Sequence, residues 1–386
     1  MTAPRKLRMG MVGGGRGAFI GEVHRMASRL DGQIELVAGA FSSDAEKSRL
    51  SGQDLFLDPD RVYASYEEMA EREAARPADE RLDFVSIVTP NHLHYPAARC
   101  LLEHGFHVVC DKPVTHRLKD AVALRDLVRQ SGQIFALTHN YTGYPMIREA
   151  RERVQRGELG ELVKVVVEYP QGWLLEDIDQ QGQKQAAWRT DPQQAGASSC
   201  LGDIGTHCEN LVHYVTGQQI AQVCADFTTL VPGRRLEDDA QLLLRYENGM
   251  KGLLYASQVS AGEENALRLR VYGTQGSLDW QQENPNELIL KWPDRPRQIL
   301  KPGNPYLGAH AQAGSRIPAG HPEGYIEGFA NLYREVARAI RDRQSGTDNA
   351  PYDFPTIDDG LAGLRFIATA VHSAQSDGKW TPLIEV

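Results

Sequence analysis

The side chains best suited to proton transfer lie in Gly202–Tyr214, which reads Gly-Asp-Ile-Gly-Thr-His-Cys-Glu-Asn-Leu-Val-His-Tyr. At about 100° per residue, a helix here places Ile204, Cys208, Leu211 and Val215 on one apolar face. Asp203, His207, Asn210 and Tyr214 then form a polar stripe beside it. An aspartate and a histidine four apart are neighbours on a helix surface, so the carboxylate can orient the imidazole and raise its basicity. Such a pair can abstract a proton. Taken alone, the stripe reads more readily as an ordinary exposed face. Two other motifs give it weight: a nucleotide-binding pattern near the N-terminus and a Lys-Pro that follows a strand at Lys112.

The first of these begins with the apolar run Leu7–Val12, which ends in Gly13-Gly14-Gly15-Arg16-Gly17-Ala18 and is followed by a helical pattern from about Phe19 to Leu30. Strand, glycine loop and helix in that order let backbone N–H groups approach a pyrophosphate at the helix N-terminus. Gly13, Gly15 and Ala18 fit G-x-G-x-x-G/A. Strand and helix signals keep alternating through Ile134–Thr138, which predicts a parallel, doubly wound sheet. Phe84–Thr89 leads into Thr89-Pro90-Asn91-His92-Leu93-His94 at a strand's carboxyl end, where ligands bind in open α/β sheets. Two histidines without a third ligand at suitable spacing do not make a metal site, and no metal is expected. Next comes His107–Cys110 and then Asp111-Lys112-Pro113, where a lysine at the end of a buried strand needs a polar partner or a ligand cleft.

The tip of the second strand discriminates between dinucleotides, because an acidic residue there binds a ribose 2′-OH and repels a 2′-phosphate. Here the strand runs into Phe41-Ser42-Ser43-Asp44-Ala45-Glu46-Lys47, with hydroxyls at its tip and Lys47 and Arg49 close behind. This favours NADP, although Asp44 could still turn toward a ribose.

A chain of 386 residues suggests two domains. The formal charge of -9 argues against nucleic acid or an anionic membrane as the main partner. No apolar run approaches the length of a membrane span, and the short basic start shows no secretory signal. Five cysteines without a Cys-x-x-Cys favour reduced thiols in a cytoplasm, with Cys110, Cys200 and Cys208 as small buried filler.

Together these motifs resemble the Gfo/Idh/MocA oxidoreductases, the family of glucose-fructose oxidoreductase and inositol dehydrogenase. The resemblance covers nearly the whole chain. It rests on the glycine loop, Thr89–His94, Asp111-Lys112-Pro113 in place of the usual Glu-Lys-Pro, Trp188-Arg189-Thr190-Asp191-Pro192, and Gly202–His207. It implies a Rossmann domain over 1–139, then a mostly antiparallel α+β domain over 140–386 that binds substrate and supports a homo-dimer or tetramer. By position, Lys112, Asp203 and His207 match the family's catalytic residues, and Asn91, His94 and Lys112 match positions near the nicotinamide, beside Thr89, Pro90 and Asp111. Ser42 and Lys47 look like the Ser-x-x-x-x-Lys that holds a 2′-phosphate. Trp188 and Arg189 match a cofactor- or substrate-side segment. The first loop departs from the family form in being about three residues longer, as judged from Gly21-Glu22-Val23-His24.

From Asn140 the pattern changes to strands at Leu162–Tyr169, Gln222–Leu230, Ala240–Tyr246, Lys251–Gln258, Ala266–Tyr272 and Glu287–Trp292, with a hairpin at Asn248-Gly249. Leu267, Leu269 and Val271 alternate with Arg268 and Arg270, so that strand has one wet face. A glutamine-rich loop, 180–185, and a long Pro/Gly-rich stretch, 293–324, flank these strands. Substrate contacts are expected from Asn140, Tyr144, Lys184, Asn210 and His321, with Tyr141 and Tyr325 as further candidates. Tyr325–Arg343 and Ile357–Ser376 have helical periodicity.

The expected reaction is reversible oxidation of a secondary alcohol on a sugar or cyclitol with NAD(P), NADP favoured. His207 takes the hydroxyl proton, Asp203 orients it, and Lys112 stabilises negative charge on the reacting oxygen. The alternatives are a sugar–sugar oxidoreductase holding NADP tightly, a carbonyl or imine reductase, and a dinucleotide-sensing regulator without turnover. The last has no need of a base and an oxyanion partner together.

Overall fold

The computed structural model describes residues 5–347 and 351–386. The chain divides into two compact units, Met1–Asn140 with Phe329–Leu361, and Tyr141–Gly328 with Ala362–Val386. The first unit is therefore built from two stretches of chain, where the sequence reading placed it in one.

The first unit runs β1 (Leu7–Gly13), α1 (Phe19–Leu30), β2 (Ile34–Ala40), α2 (Ala45–Asp54), α3 (Tyr66–Ala74), β3 (Phe84–Val88), α4 (His94–Glu103), β4 (His107–Cys110), α5 (Leu118–Ser131) and β5 (Phe135–Leu137). Its five strands lie in the order β2-β1-β3-β4-β5, all parallel. Strands covered on both faces need apolar side chains at nearly every position. Met9, Met11, Phe84, Val85, Ile87, Val108 and Cys110 are accordingly buried. The strand order reverses between β1 and β3, so their carboxyl ends, Gly13 and Val88, open the crevice where ligands bind in such sheets. The excursion Phe329–Leu361 contributes to this core: Tyr333 is buried with its ring 6.3 Å from that of Phe84, and Leu137 N–H donates to the Pro355 carbonyl at 2.8 Å.

The second unit contains α6 (Pro145–Gln155), β6 (Leu162–Pro170), α7 (Lys184–Arg189), α8 (Pro192–Ala195), a π-helical turn (Leu201–Gly205), α9 (Thr206–Thr216), β7 (Ile220–Thr228), β8 (Asp239–Tyr246), β9 (Lys251–Ser257), β10 (Arg268–Gly273), β11 (Ser277–Gln281), β12 (Leu288–Lys291), β13 (Gln298–Leu300) and α10 (Ala309–Gly314). Two long helices, α11 (Tyr325–Ser345) and α12 (Ile357–Ala374), carry the chain between the units, and β14 (Thr381–Pro382) ends it. The nine-stranded sheet has the order β13-β12-β11-β10-β6-β9-β8-β7-β14 and is antiparallel except for the β6–β9 pair. α9 packs on β6 and β10, and α6 packs on α9, β11 and β12. This buries Leu267, Leu269 and Val271 while Arg268 and Arg270 stay half-exposed, as their alternation predicts. The β8–β9 hairpin turns at Asn248-Gly249, with Gly249 at φ +90° and Asn248 Oδ1 accepting from Met250 N at 3.0 Å.

Two expectations are amended. The regular helix expected over 202–214 begins as a π turn at Leu201–Gly205 and becomes α-helical only at Thr206. β11, β13 and β14, which the sequence reading lacked, are short strands whose pairing comes from sheet neighbours rather than from local pattern. Among the described residues no helix is long and apolar enough to cross a membrane.

Candidate active site

In the first unit the glycine loop leaves β1 in conformations that glycine alone adopts without strain, with φ of +81° at Gly13 and +72° at Gly14. An ideal Cβ on Gly13 would lie 2.9 Å from Thr89 Cγ2, and one on Gly15 would lie 2.9 Å from the Phe41 carbonyl oxygen. Side chains there would collide with the chain leaving β2 and β3, so glycine is what lets the loop pack this closely, as the tight turn of a dinucleotide-binding loop requires. Ala18 is the residue before α1, and Gly21, two residues inside the helix, packs its Cα directly over Gly14. The glycine that brings helix and loop together thus lies three positions beyond Ala18, which accounts for the lengthened loop.

At the β2 tip, Ser42 Oγ accepts from Asp44 N at 3.2 Å, and the Asp44 carboxylate caps α2 by accepting from Lys47 N at 2.9 Å. Sequence reasoning passed over Arg16, whose guanidinium pairs with Asp54 across the mouth of this loop.

Thr89 and Pro90 sit half-buried at the end of β3, Asn91 is buried, and Thr89 Oγ1 has no hydrogen-bond partner among the described residues. Asp111 accepts from Thr138 Oγ1 at 2.8 Å, and Lys112, half-buried, stands between it and Pro113. His94 is fully buried between two backbone carbonyls, those of Thr89 and Pro113. Asn140, at the end of this unit, is buried with Nδ2 unsatisfied among the described residues.

In the second unit, Asp203 hangs from the π turn. One oxygen, Oδ2, accepts from Arg189 Nε and from Gln258 Nε2, each at 2.9 Å. The turn itself is tied down by Glu237, whose Oε1 accepts from Ser198 Oγ at 2.5 Å and from Leu201 N at 3.0 Å; burial raises this carboxyl and these hydrogen bonds oppose the rise. π turns inside helices are common at functional sites because the extra residue re-aims side chains. His207 follows on the first turn of α9, nearly buried, with the Tyr141 ring edge-on at 4.8 Å and Tyr169 at 6.3 Å. Tyr141 and Tyr169 join hydroxyls at 2.5 Å, and Tyr169 donates to Asn265 Oδ1 at 2.6 Å, which also accepts from Gln171 Nε2 at 2.7 Å. Burial, the main cause, raises the Tyr141 and Tyr169 phenols, so both stay protonated. The Arg189 guanidinium lies 4.2 Å over the Trp188 ring and 5.7 Å from that of Trp173.

Of the expected substrate residues, Asn210 is buried on α9 one turn beyond His207, with Oδ1 lacking a partner among the described residues. Tyr144 is buried against Trp280 and Tyr141, its hydroxyl accepting from Gln282 Nε2 at 3.4 Å. Tyr325 lies 6.3 Å from the Tyr141 ring. His321 is exposed, its ring against the Pro318 carbonyl at 3.1 Å. Lys184 opens α7, but its side chain lies outside the described residues. Gln258, Glu237, Tyr169, Asn265 and Gln171 were not foreseen. Their only local signal is polarity at the end of an apolar strand, and the fold rather than the spacing gathers them.

A doubly wound sheet with a glycine cradle at its switch point, in one chain with an anchored Asp-His pair on an antiparallel sheet, defines the class of dinucleotide-dependent oxidoreductases. The comparisons narrow the class. Residues 7–139 match the oxidoreductase family, NAD-binding Rossmann fold, and residues 147–279 match the GFO/IDH/MocA C-terminal domain. The chain is 34% identical over 383 residues to the uncharacterized oxidoreductase YfiI of Bacillus subtilis, covering 97% of this chain and 96% of that one. It is 38% identical, with a TM-score of 0.94, to an inositol dehydrogenase homolog from Azotobacter vinelandii complexed with NAD+, covering 98% of this chain and 97% of the other. A second structure of such a homolog from that organism, complexed with NADH and myo-inositol, is 36% identical with a TM-score of 0.91, covering 98% of each chain. The protein belongs to the Gfo/Idh/MocA oxidoreductases, and residues 7–139 carry that family's NAD-binding Rossmann fold.

Proposed function

We propose that the protein reversibly oxidises a secondary alcohol on a sugar or cyclitol ring, with His207 as base, Asp203 as the carboxylate that orients it, and Lys112 as the cation at the reacting oxygen. The observation that carries the reading is the fixing of Asp203. Oδ2 is held by Arg189 and Gln258, and His207 follows four residues on, in the first turn of α9. A carboxylate so placed selects one imidazole tautomer and stabilises the imidazolium that forms as the hydroxyl loses its proton. The nicotinamide of a bound dinucleotide supplies the hydride acceptor. Gly13, Gly14 and Gly15 would take its pyrophosphate, and Thr89, Pro90, Asn91 and Lys112 its nicotinamide side.

The substrate class follows from the surroundings of His207. Tyr141, Tyr169 and Tyr325 present flat apolar rings, while Asn210, Asn265 and Gln171 offer amides. Apolar faces edged by hydroxyls at fixed spacing belong to a polyol ring. Asn140, Tyr144, Lys184 and His321 are proposed at its periphery, and Trp188 beside Arg189 as the wall. The homolog complexed with NADH and myo-inositol supports this class.

For the cofactor, the homologs hold NAD+ and NADH. We further propose that NADP is accepted. Asp44 is engaged as a helix cap, and Lys47 forms no ion pair among the described residues, so a cation and the Ser42 hydroxyl stand ready for a 2′-phosphate. The protein is proposed to act as a homo-oligomer in the cytoplasm. Cys224, Leu243, Leu253 and Val166 stand in register across one sheet face, and Leu243 and Leu253 are exposed.

Turnover on a panel of sugars, glycosides and inositols with NAD and NADP tests the assignment. His207→Ala and Lys112→Ala are expected to bind dinucleotide nearly normally and to lose turnover by orders of magnitude. Retention of most turnover in either variant removes that residue's role. Lys47→Ala is expected to weaken NADP and leave NAD unchanged, and an unaltered NADP affinity removes the phosphate contact.

A further inference from the structure

Between Thr89 and Pro113 lies a side chain that the proposed chemistry does not use. His94, the first residue of α4, is fully buried, and both ring nitrogens face backbone carbonyl oxygens: Nδ1 lies 2.7 Å from that of Pro113, Nε2 2.9 Å from that of Thr89. Both neighbours can only accept and a neutral imidazole carries one N–H, so the ring donates to one of the two carbonyls while the second walls off its other nitrogen. The two carbonyls belong to the chain segments that leave β3 and β4, and Pro113 directly follows Lys112.

The other flank of Lys112 is fixed as well. Asp111 Oδ1 accepts from Thr138 Oγ1 at 2.8 Å and lies 3.9 Å from Nε2 of His24, a fully buried residue of α1. His24 Nδ1 is 2.7 Å from the Tyr333 hydroxyl, which is 2.8 Å from Ser86 Oγ on β3. Asp111 is therefore held from the core, and Pro113 from α4.

We propose that His94 is a positioning residue: its Nδ1–H holds the Pro113 carbonyl and so fixes the backbone from which Lys112 projects, while Nε2 sets the spacing to the Thr89 turn. This rests on Lys112 acting at the reacting oxygen, as argued above. A lysine has four rotatable side-chain bonds, and the precision of its ammonium depends on how firmly its own Cα is held. A clamp on the next residue's carbonyl supplies that firmness without touching substrate.

The two nitrogens can be separated by substitution. Asparagine places an amide N–H near the site of Nδ1 and glutamine places one near the site of Nε2, so His94→Asn keeps the Pro113 contact and His94→Gln keeps only the Thr89 contact. His94→Leu keeps neither. Steady-state kinetics on an active substrate from the panel, dinucleotide affinity by NADH fluorescence and thermal midpoints would be measured for all three. The expected result is kcat for His94→Asn at least tenfold above that for His94→Gln and His94→Leu, with dinucleotide Kd within about threefold in the Asn and Gln variants. A purely structural role moves thermal midpoints without separating Asn from Gln in kcat. Equal or reversed kcat for those two variants overturns the proposal, as does a kcat gap matched by an equal gap in dinucleotide Kd. Lys112→Ala distinguishes the two levels: if it keeps its turnover, the catalytic reading fails, whereas an inactive Lys112→Ala with equal Asn and Gln variants defeats the clamp alone.

Discussion

Gly21 offers a sharp test of how the fold makes its dinucleotide cradle. An ideal Cβ on this residue would stand 2.3 Å from Gly14 Cα, 2.7 Å from Gly14 O and 2.9 Å from Gly14 C, where ordinary contacts begin near 3.4 Å. The obstacles are backbone atoms that cannot rotate aside, so Gly21→Ala must drive α1 and the loop apart by about 1 Å. Overpacking of this kind costs about 1–3 kcal/mol, and replacing a helical glycine returns about 1 kcal/mol of helix propensity. The net loss of fold stability is therefore small, about 0–2 kcal/mol. Binding suffers more. A shift of about 1 Å takes a loop N–H out of hydrogen-bond range of a phosphate oxygen, and one charge-assisted bond at about 1.5–3 kcal/mol corresponds to about a 10- to 150-fold loss of affinity. Fluorescence titration with NADH, run beside urea unfolding, separates the two effects. Dinucleotide affinity in Gly21→Ala within threefold of the parent would refute the reasoning, because the helix would then not be what sets the loop.

Arg189→Ala should lower kcat about tenfold or more by removing the guanidinium that holds Asp203 Oδ2 beside Gln258, and it should move the acid limb of kcat/KM to higher pH, since a carboxylate freed of its guanidinium favours imidazolium on His207; an unmoved limb would break the proposed link. Stability should fall with acidity between about pH 6.5 and 4. Burial is the main cause that depresses both His24 and His107 to about 4, so below the unfolded value near 6.5 the unfolded chain takes up protons that the fold refuses. Each ring contributes about 1.4 kcal/mol per pH unit in that window and nothing above it. His107 Nδ1 accepts from Ile134 N at 3.1 Å, so His107→Asn can retain the acceptor without titrating, and urea unfolding at pH 7 and 5 should show a shallower loss; an identical loss would exclude His107 as a contributor. Leu253→Glu on the sheet face should shift the proposed oligomer toward monomer in sedimentation, and an unchanged mass would show that this face is not an interface.

The parallel sheet, the glycine cradle and the antiparallel meander could be read from the chain because each rests on short-range physics. Buried parallel strands demand continuous apolar runs, tight turns demand glycine, and a one-sided sheet demands alternation, as Leu267–Val271 shows. The motif residues Lys112, Asp203 and His207 stand out in the same way, by type and spacing. Tertiary structure decided what anchors them. Gln258 and Arg189 reach Asp203 from positions 55 and 14 residues away in sequence, and Tyr333 reaches His24 across 309. It also decided that Asp203 leaves a π turn and that Gly21, rather than Ala18, meets the loop. Contacts between residues far apart in the chain depend on how whole elements pack, and a π turn persists only where surrounding groups such as Glu237 satisfy its backbone. Spacing within a single element carries no record of either.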